Sequence, residues 1–224
     1  MDYALWENFS RAVELVDVME ERGFEPNAIT YGAIIKGLVR IGKTSLALGL
    51  LEKWEGRRSC RVDVVTYGTV LEGLCKEGRL MEALKLFHRM IDQGVQPNVV
   101  TYNTLVHARC FERQWEEVEL LLKEMTQRGI TPNVRTFNTI LDAFCKDGMF
   151  FEAESILDTM IRIYIEPTVV TNAIGAINGT SKFSKVRRIQ LAITSCHPCR
   201  RILLWSVASW ARFLQIFLQR SVLA

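Results

Sequence analysis

The side chains best suited to chemistry in this chain are six cysteines, three histidines and a set of amides, and their spacing sorts them. Cys75, Cys110 and Cys145 lie 35 residues apart. They occupy one period position and read as small core residues in reduced, intracellular use rather than as ligands. Cys60 stands in an irregular stretch. Cys196 and Cys199 form a C-x-x-C pair, but no second cysteine pair or spaced histidine pair completes a zinc site or a redox motif. His88, His107 and His197 fall at unrelated positions. No Walker loop, Ser/His/Asp set or zincin helix occurs, so the expectation is a non-enzyme with no cofactor and no metal site. Asn103 and Asn138 are different. They too are 35 residues apart, inside helical sequence where asparagine is mildly unfavourable. Their amides, each able to donate and accept, are the strongest candidates for hydrogen bonding to a ligand.

What positions these residues is a repeat. VVTYGTVLEGLCKEG begins at Val64, VVTYNTLVHARCFER at Val99 and VRTFNTILDAFCKDG at Val134, each 35 residues after the last. AITYGAIIKGLVRIG begins at Ala28 and its copy runs one residue longer, an insertion that the loop 55–62 absorbs. MEERGFEPN at 19–27 matches MIDQGVQPN at 90–98 and MTQRGITPN at 125–133, so residues 1–27 read as the later part of another copy. The expected organisation is therefore a partial repeat (1–27), four repeats (28–63, 64–98, 99–133 and 134–168) and a remainder (169–224).

Each copy resolves into two helices. Tyr67, Val70, Leu71 and Leu74 share one face of a first helix by their i, i+3, i+4, i+7 spacing. Gly78 interrupts, and Leu80, Ala83, Leu84, Phe87 and Met90 make the apolar stripe of a second helix. Gly94 suits a left-handed cap, Pro97 stops continuation, and Asn98 is placed to cap the next first helix. Asn27, Asp63, Asn133 and Thr168 occupy that same capping position. Ala47, Ala83 and Ala153 share one position, with Val118 standing there in the third full copy, and small side chains there let two helices approach. Asp and Glu fall on the outer faces of second helices, where a solvated surface is expected. One hairpin cannot bury both stripes, so neighbours must stack into an all-α superhelix whose hand the periodicity leaves open.

Charge marks a boundary. Residues 1–166 carry 20 Lys and Arg against all 25 acids, while residues 167–224 carry eight basic residues and no acid. The repeats are thus not a generic polyanion binder, and any nucleic-acid binding there must rely on local charge placement. The N-terminal stretch has three acids in its first 14 residues, unlike an acid-poor transit peptide. The apolar run Ile202 to Leu218 is short for a membrane span and contains Arg212, so a soluble chain without membrane partners is expected. After VVT at 169–171 the pattern fails. The remainder reads as a basic stretch (180–188) that could hold RNA non-specifically, irregular to about residue 200, then an apolar helix that could cover the end of the stack. A change of coding register or exon usage near Thr171 would account for it.

TYNTLV, a cysteine, G-x-x-x-x-A and M…G…P-N at a 35-residue period resemble the pentatricopeptide repeat family, over about residues 4–171. The likeness is to the plain 35-residue class of plant organelle proteins, including fertility-restorer-like members. The resemblance implies a right-handed superhelical solenoid of helix-turn-helix repeats, here with a divergent C-terminal extension. It also implies single-stranded RNA binding, one base per repeat, in mitochondrial or chloroplast RNA metabolism. In the family, the fifth and last residues of a repeat read the base. Carried over, the readers are Gly32 with Asp63, Gly68 with Asn98, Asn103 with Asn133, and Asn138 with Thr168. The second residue packs on the base: Ile29, Val65, Val100 and Val170, with Arg135 departing from the apolar pattern. Arg40, Lys76 and Lys146 occupy the position that meets phosphate, and Phe111 breaks that series. Asparagine at the fifth position implies pyrimidine, so the implied target is 5′-(G)(A)YY-3′. The rival readings are a scaffold for protein partners and a degenerate copy without function.

Overall fold

The computed structural model describes residue 11, residues 13–19, 21–24, 27–55 and 62–162, and residues 165 and 171. Thr168, Val170, Cys60, the Cys196–Cys199 pair, His197 and the basic and apolar stretches of the C-terminal remainder lie outside the described residues. The described residues are all-α. After helical residues 13–19 (α1) come α2 (Ala28–Arg40), α3 (Thr44–Glu55), α4 (Val64–Lys76), α5 (Leu80–Asp92), α6 (Val99–Phe111), α7 (Trp115–Gln127), α8 (Val134–Lys146) and α9 (Phe150–Arg162). First helices begin at Ala28, Val64, Val99 and Val134, where the repeated segments begin.

Among the described residues, left-handed turns after the first helices and after α5 and α7 cut the sequence into helices of this length. After the first helix, the amide of the residue following the turn glycine reaches back to a carbonyl five residues earlier: Lys43 to Leu38, Arg79 to Leu74 and Met149 to Phe144, at 2.8–2.9 Å. After the second helix, Val95 reaches Met90 and Ile130 reaches Met125 in the same way, both at 3.0 Å. These are Schellman-type closures, which need a residue with positive φ. Gly42, Gly78, Gly94, Gly129 and Gly148 supply it at φ between 72° and 76°. At one turn the residue is Arg113, at φ 58°, with its guanidinium 2.9 Å from Asp147 Oδ1. An L side chain in this region costs about 1–2 kcal/mol, while a partly exposed ion pair is worth about 0–1 kcal/mol. Arg113→Gly is therefore expected to stabilise the protein by about 0.5–1 kcal/mol in denaturant unfolding; a loss of stability would show that the pair with Asp147 outweighs the strain.

The starts of the first helices are built just as locally. Asn27, Asp63 and Asn133 each accept a hydrogen bond from the amide three residues on, at 2.8–3.1 Å. Asn98 accepts from Val100 and Thr101 at 2.9 and 3.0 Å. Such caps satisfy donors that a helix leaves open, each worth about 1 kcal/mol.

The chain divides into two compact units, with the division inside α6 after Ala108. In the first, α2 packs on α3 and α4, α3 on α4, and α4 on α5. Tyr67, Val70, Leu71 and Leu74 are fully buried there, as are Ala47 and Ala83. Tyr31 stacks at a tilt on Trp54, with centroids 3.7 Å apart, and Tyr102 meets Phe87 edge-on at 5.2 Å. In the second, α8 packs on α9 and Trp115 lies against Phe144 at 4.5 Å. Val118 and Ala153 are buried, as their position in the repeat suggests.

Three expectations from the sequence are corrected. The inner stripe of α5 includes Leu86, which is buried, while Leu84 is only half-buried. Cys110 and Cys145 are buried, but Cys75, at the same place on its helix, is half-exposed. Nor are all acids of the second helices solvated. The Glu55 side chain is 6 % exposed and ties three groups together: Tyr67 Oη donates to its Oε1 at 2.5 Å, and Arg89, which also bonds Glu52 at 2.6 Å, pairs with it. Burial, and then the neighbouring Glu55, raise the Tyr67 phenol above its ordinary pKa. Glu119 is similarly buried and is held by Lys123 at 2.7 Å.

Candidate functional site

On a helix, residues spaced i, i+3, i+7 and i+11 share one strip. Each first helix places the candidate residues on such a strip. In α2 it reads Ile29, Gly32, Lys36 and Arg40; in α4, Val65, Gly68, Glu72 and Lys76; in α6, Val100, Asn103, His107 and Phe111; in α8, Arg135, Asn138, Asp142 and Lys146. The second-position side chains stand out in solvent: Ile29 is 80 % exposed, Val65 68 % and Val100 59 %, and Arg135 is exposed too. Apolar side chains so exposed at one repeat position offer flat contact surface.

The fifth position is more enclosed. Asn103 is buried, at 7 % exposure, and Asn138 is half-buried. Asn138 Oδ1 accepts a hydrogen bond from Thr171 Oγ1 at 2.6 Å. Gly32 and Gly68 leave room: a Cβ at Gly32 would lie 3.5 Å from Thr66 Oγ1, and one at Gly68 3.7 Å from Thr101 Cγ2, both ordinary contacts. In each of these cases the neighbour is the third residue of the next copy. That threonine is absent from the sequence-based candidates, because its relation to the fifth position is tertiary.

The last-residue candidates are held by their own capping bonds. Asp63 Oδ1 accepts from the Thr66 amide at 2.8 Å and from its hydroxyl at 2.6 Å. Asn133 and Thr136 form a reciprocal capping box. One side-chain oxygen at each described position is thus committed to the helix start.

The cation series carries a complication that a comparison across repeats does not bring forward. Lys76 Nζ lies 2.7 Å from Glu72, and Lys146 Nζ 2.6 Å from Asp142, each acid one turn earlier on the same strip. These pairs are solvent-exposed and worth little to folding, but they cut the net positive potential that two of the three cations present. Arg40 has Lys36, not an acid, at the corresponding place.

Burial, with Asp147 adding to it, pushes the Cys110 thiol up to about 12, which keeps it neutral and unreactive. Among the described residues no group of three or more His, Cys, Asp or Glu is placed to hold a metal ion, and no helix is long and apolar enough to cross a membrane.

Comparison with known proteins places this arrangement. Among curated proteins no relative matches. Among solved structures, the maize pentatricopeptide repeat protein PPR10 is similar at 21 % identity and TM-score 0.63, over 85 % of this chain and 28 % of that one. PPR10 in complex with an 18-nucleotide psaJ RNA element is similar at 29 % identity and TM-score 0.59, over 70 % of this chain and 23 % of that one. The pentatricopeptide repeat domain of Arabidopsis thaliana protein-only RNase P 1, crystallised with tRNA, shares the fold at 18 % identity and TM-score 0.56, over 81 % of this chain and 95 % of that domain. This chain therefore spans about a quarter of the length of PPR10. Residues 62–110, 97–146 and 132–174 match the PPR repeat family, and residues 3–41 and 14–58 match the pentatricopeptide repeat domain. Matches over more than half of its length, on hairpins that repeat in register, make this chain a member of the pentatricopeptide repeat family.

Proposed function

We propose that this chain binds single-stranded RNA through the strips of its first helices, one base per repeat, as a non-catalytic module of organellar RNA metabolism. The observation that carries the reading is the strip itself, an exposed second-position side chain one turn before a fifth position occupied by glycine or an amide. An apolar or guanidinium group can lie on a base face, while an amide one turn away is within reach of that base's polar edge. The complex of PPR10 with an RNA element, at 29 % identity, supports the same reading.

In this reading Asn103 with Asn133, and Asn138 with Thr168, read adjacent pyrimidines. Gly32 with Asp63 and Gly68 with Asn98 contribute weak purine-leaning contacts. Ile29, Val65, Val100, Arg135 and Val170 pack on the bases, and Arg40, Lys76 and Lys146 meet phosphates. With three cations, two of them paired to acids on the same strip, the complex is weak and salt-sensitive.

Selection of the folded chain against a random single-stranded RNA pool at low salt tests this. Enrichment of a short motif containing two adjacent pyrimidines is expected. The double variant Asn103→Thr, Asn138→Thr should move that preference toward purine by about tenfold, the effect of losing roughly 1.4 kcal/mol of discrimination. No enrichment by a protein shown to be folded would refute RNA recognition. Specific capture of a protein partner by the same strips would favour the scaffold reading instead.

A further inference from the structure

We propose that Lys36 is a phosphate-binding residue, and that with Arg40 it makes the repeat at 28–63 the electrostatic anchor for single-stranded RNA. The inference rests on the RNA-binding reading above and names which repeat holds the phosphate chain most tightly.

The ninth residue of each first helix lies one turn after the fifth and one turn before the thirteenth, on the same strip. Its charge decides what the cation beyond it can offer a ligand. In α4 and α8 the ninth residue is an acid. Glu72 holds Lys76 Nζ at 2.7 Å, and Asp142 holds Lys146 Nζ at 2.6 Å. In α6 the two places hold His107 and Phe111, so that strip carries no Lys or Arg. The strip of α2 differs from all three. It sets Lys36 before Arg40, both exposed, and among the described residues neither is ion-paired with a carboxylate. The acids of the helices packed on α2 are engaged elsewhere: Glu52 and Glu55 with Arg89, and Glu72 with Lys76.

Folding does not ask for this arrangement. An acid four residues before a cation is the order that stabilises a helix, and two like charges at that spacing oppose it. The pull of a helix C-terminus on cations reaches only the last turn. That accounts for Arg40, which stands in the last turn of α2, but not for Lys36. A pair of unneutralised charges one turn apart instead suits a ligand of opposite sign. Arg40 can grip phosphate oxygens with its planar fork, while Lys36 adds a compact charge beside it. The rest of the strip favours a nucleotide as that ligand. Ile29, 80 % exposed, and Gly32 offer a flat apolar place at one end, and the two cations stand at the other. Flat surface and charge thus follow one another along the strip as base and phosphate do in a single strand.

The test uses the full chain and the RNA enriched by the parent protein, titrated over about 0.05–0.2 M salt. Losing one phosphate contact to a single strand flattens the slope of log affinity against log salt by about 0.7. At about 0.1 M salt the same loss weakens binding roughly fivefold. Both changes are expected for Lys36→Gln, while its unfolding midpoint in denaturant stays the same or rises, because a like-charge pair has gone. Lys76→Gln removes a cation already neutralised by Glu72 and should flatten the slope less than half as much. Lys85→Gln takes the same charge from an exposed site on α5, off the strips, and should change affinity by less than about twofold. A slope that Lys36→Gln leaves unchanged, or that Lys76→Gln or Lys85→Gln flattens as much, overturns the proposal and leaves RNA binding intact. Weaker binding by Lys36→Gln that comes with lost folded stability and an unchanged slope also overturns it, as the mark of a structural residue. A parent that binds no RNA at low salt overturns the RNA-binding reading and this inference with it.

Discussion

Gly73→Val is expected to destabilise the first compact unit by about 2–3 kcal/mol, the upper range for overpacking a well-filled contact. Gly73 is buried in α4 where it crosses the preceding hairpin turn. A Cβ there would come within 2.8 Å of Val39 Cγ1 and 2.9 Å of both Thr44 Cγ2 and Oγ1. Neither neighbour is the loose end of a long side chain; both are branched at Cβ and held by their own helices. Valine adds two methyl groups to an already impossible Cβ position, so α4 must move away from α2 and α3. Gly73→Ala separates packing from backbone effects. It gains about 1 kcal/mol of helix propensity and should still lose stability, though less than valine. Denaturant melts of the full chain, followed by circular dichroism, read both variants. A valine variant as stable as the parent would show that α4 does not approach the preceding turn so closely.

The second large effect is a gain. Gly32→Asn combined with Gly68→Asn should strengthen binding to an RNA with four successive pyrimidines by roughly thirtyfold. The figure corresponds to about 1 kcal/mol for each added amide hydrogen bond. Space permits it, since Cβ atoms at the two glycines meet only ordinary contacts, at 3.5 and 3.7 Å. Asparagine in place of glycine also slightly favours the helix, so folding should not suffer. Titration of the parent and the double variant against the same RNA measures the gain. An unchanged affinity, with Asn103→Thr and Asn138→Thr still altering preference, would mean that the fifth positions of the first two repeats do not reach a base.

The contrast between Gly73 and Gly78 shows how far the sequence can be read. Gly78 ends a helix at φ 72°, and its spacing from the apolar stripes is enough by itself to announce a turn. Gly73 looks, along the chain, like a helical position that should accept alanine, because Ala108 and Ala143 stand there in later copies. What forbids it is Val39, where the later copies have Cys75, Cys110 and Cys145, together with Thr44 of the following helix. That clash exists only once α4 is laid against α2. Arg113 is a similar case: the period marks a turn there, but only the folded backbone shows arginine held in a conformation that suits glycine.

The candidate site divides in the same way. Spacing alone places the second, fifth and thirteenth residues of each first helix on one strip, because helical geometry is a local rule repeated every 3.6 residues. The capping of α2, α4, α6 and α8 is legible for the same reason, as it joins residues two or three apart. The pairing of Lys76 with Glu72 and of Lys146 with Asp142 lies within reach of the i, i+4 rule, although lining the cations up as a column across repeats conceals it. Other features depend on groups that meet only when helices pack: the burial of Glu55 under Tyr67 and Arg89, the enclosure of Asn103, and the hydroxyl of Thr171 on the amide of Asn138. The sequence by itself thus determined the all-α repeat, its period, its caps and its turns, all of which follow from short-range hydrogen bonding and apolar spacing. Tertiary structure alone decided which hydroxyl meets the Asn138 amide, which glycine is obligatory and why Glu55 is buried, because those outcomes rest on contacts between helices, 12 positions apart for Tyr67 with Glu55 and 33 for Thr171 with Asn138, where no local rule reaches.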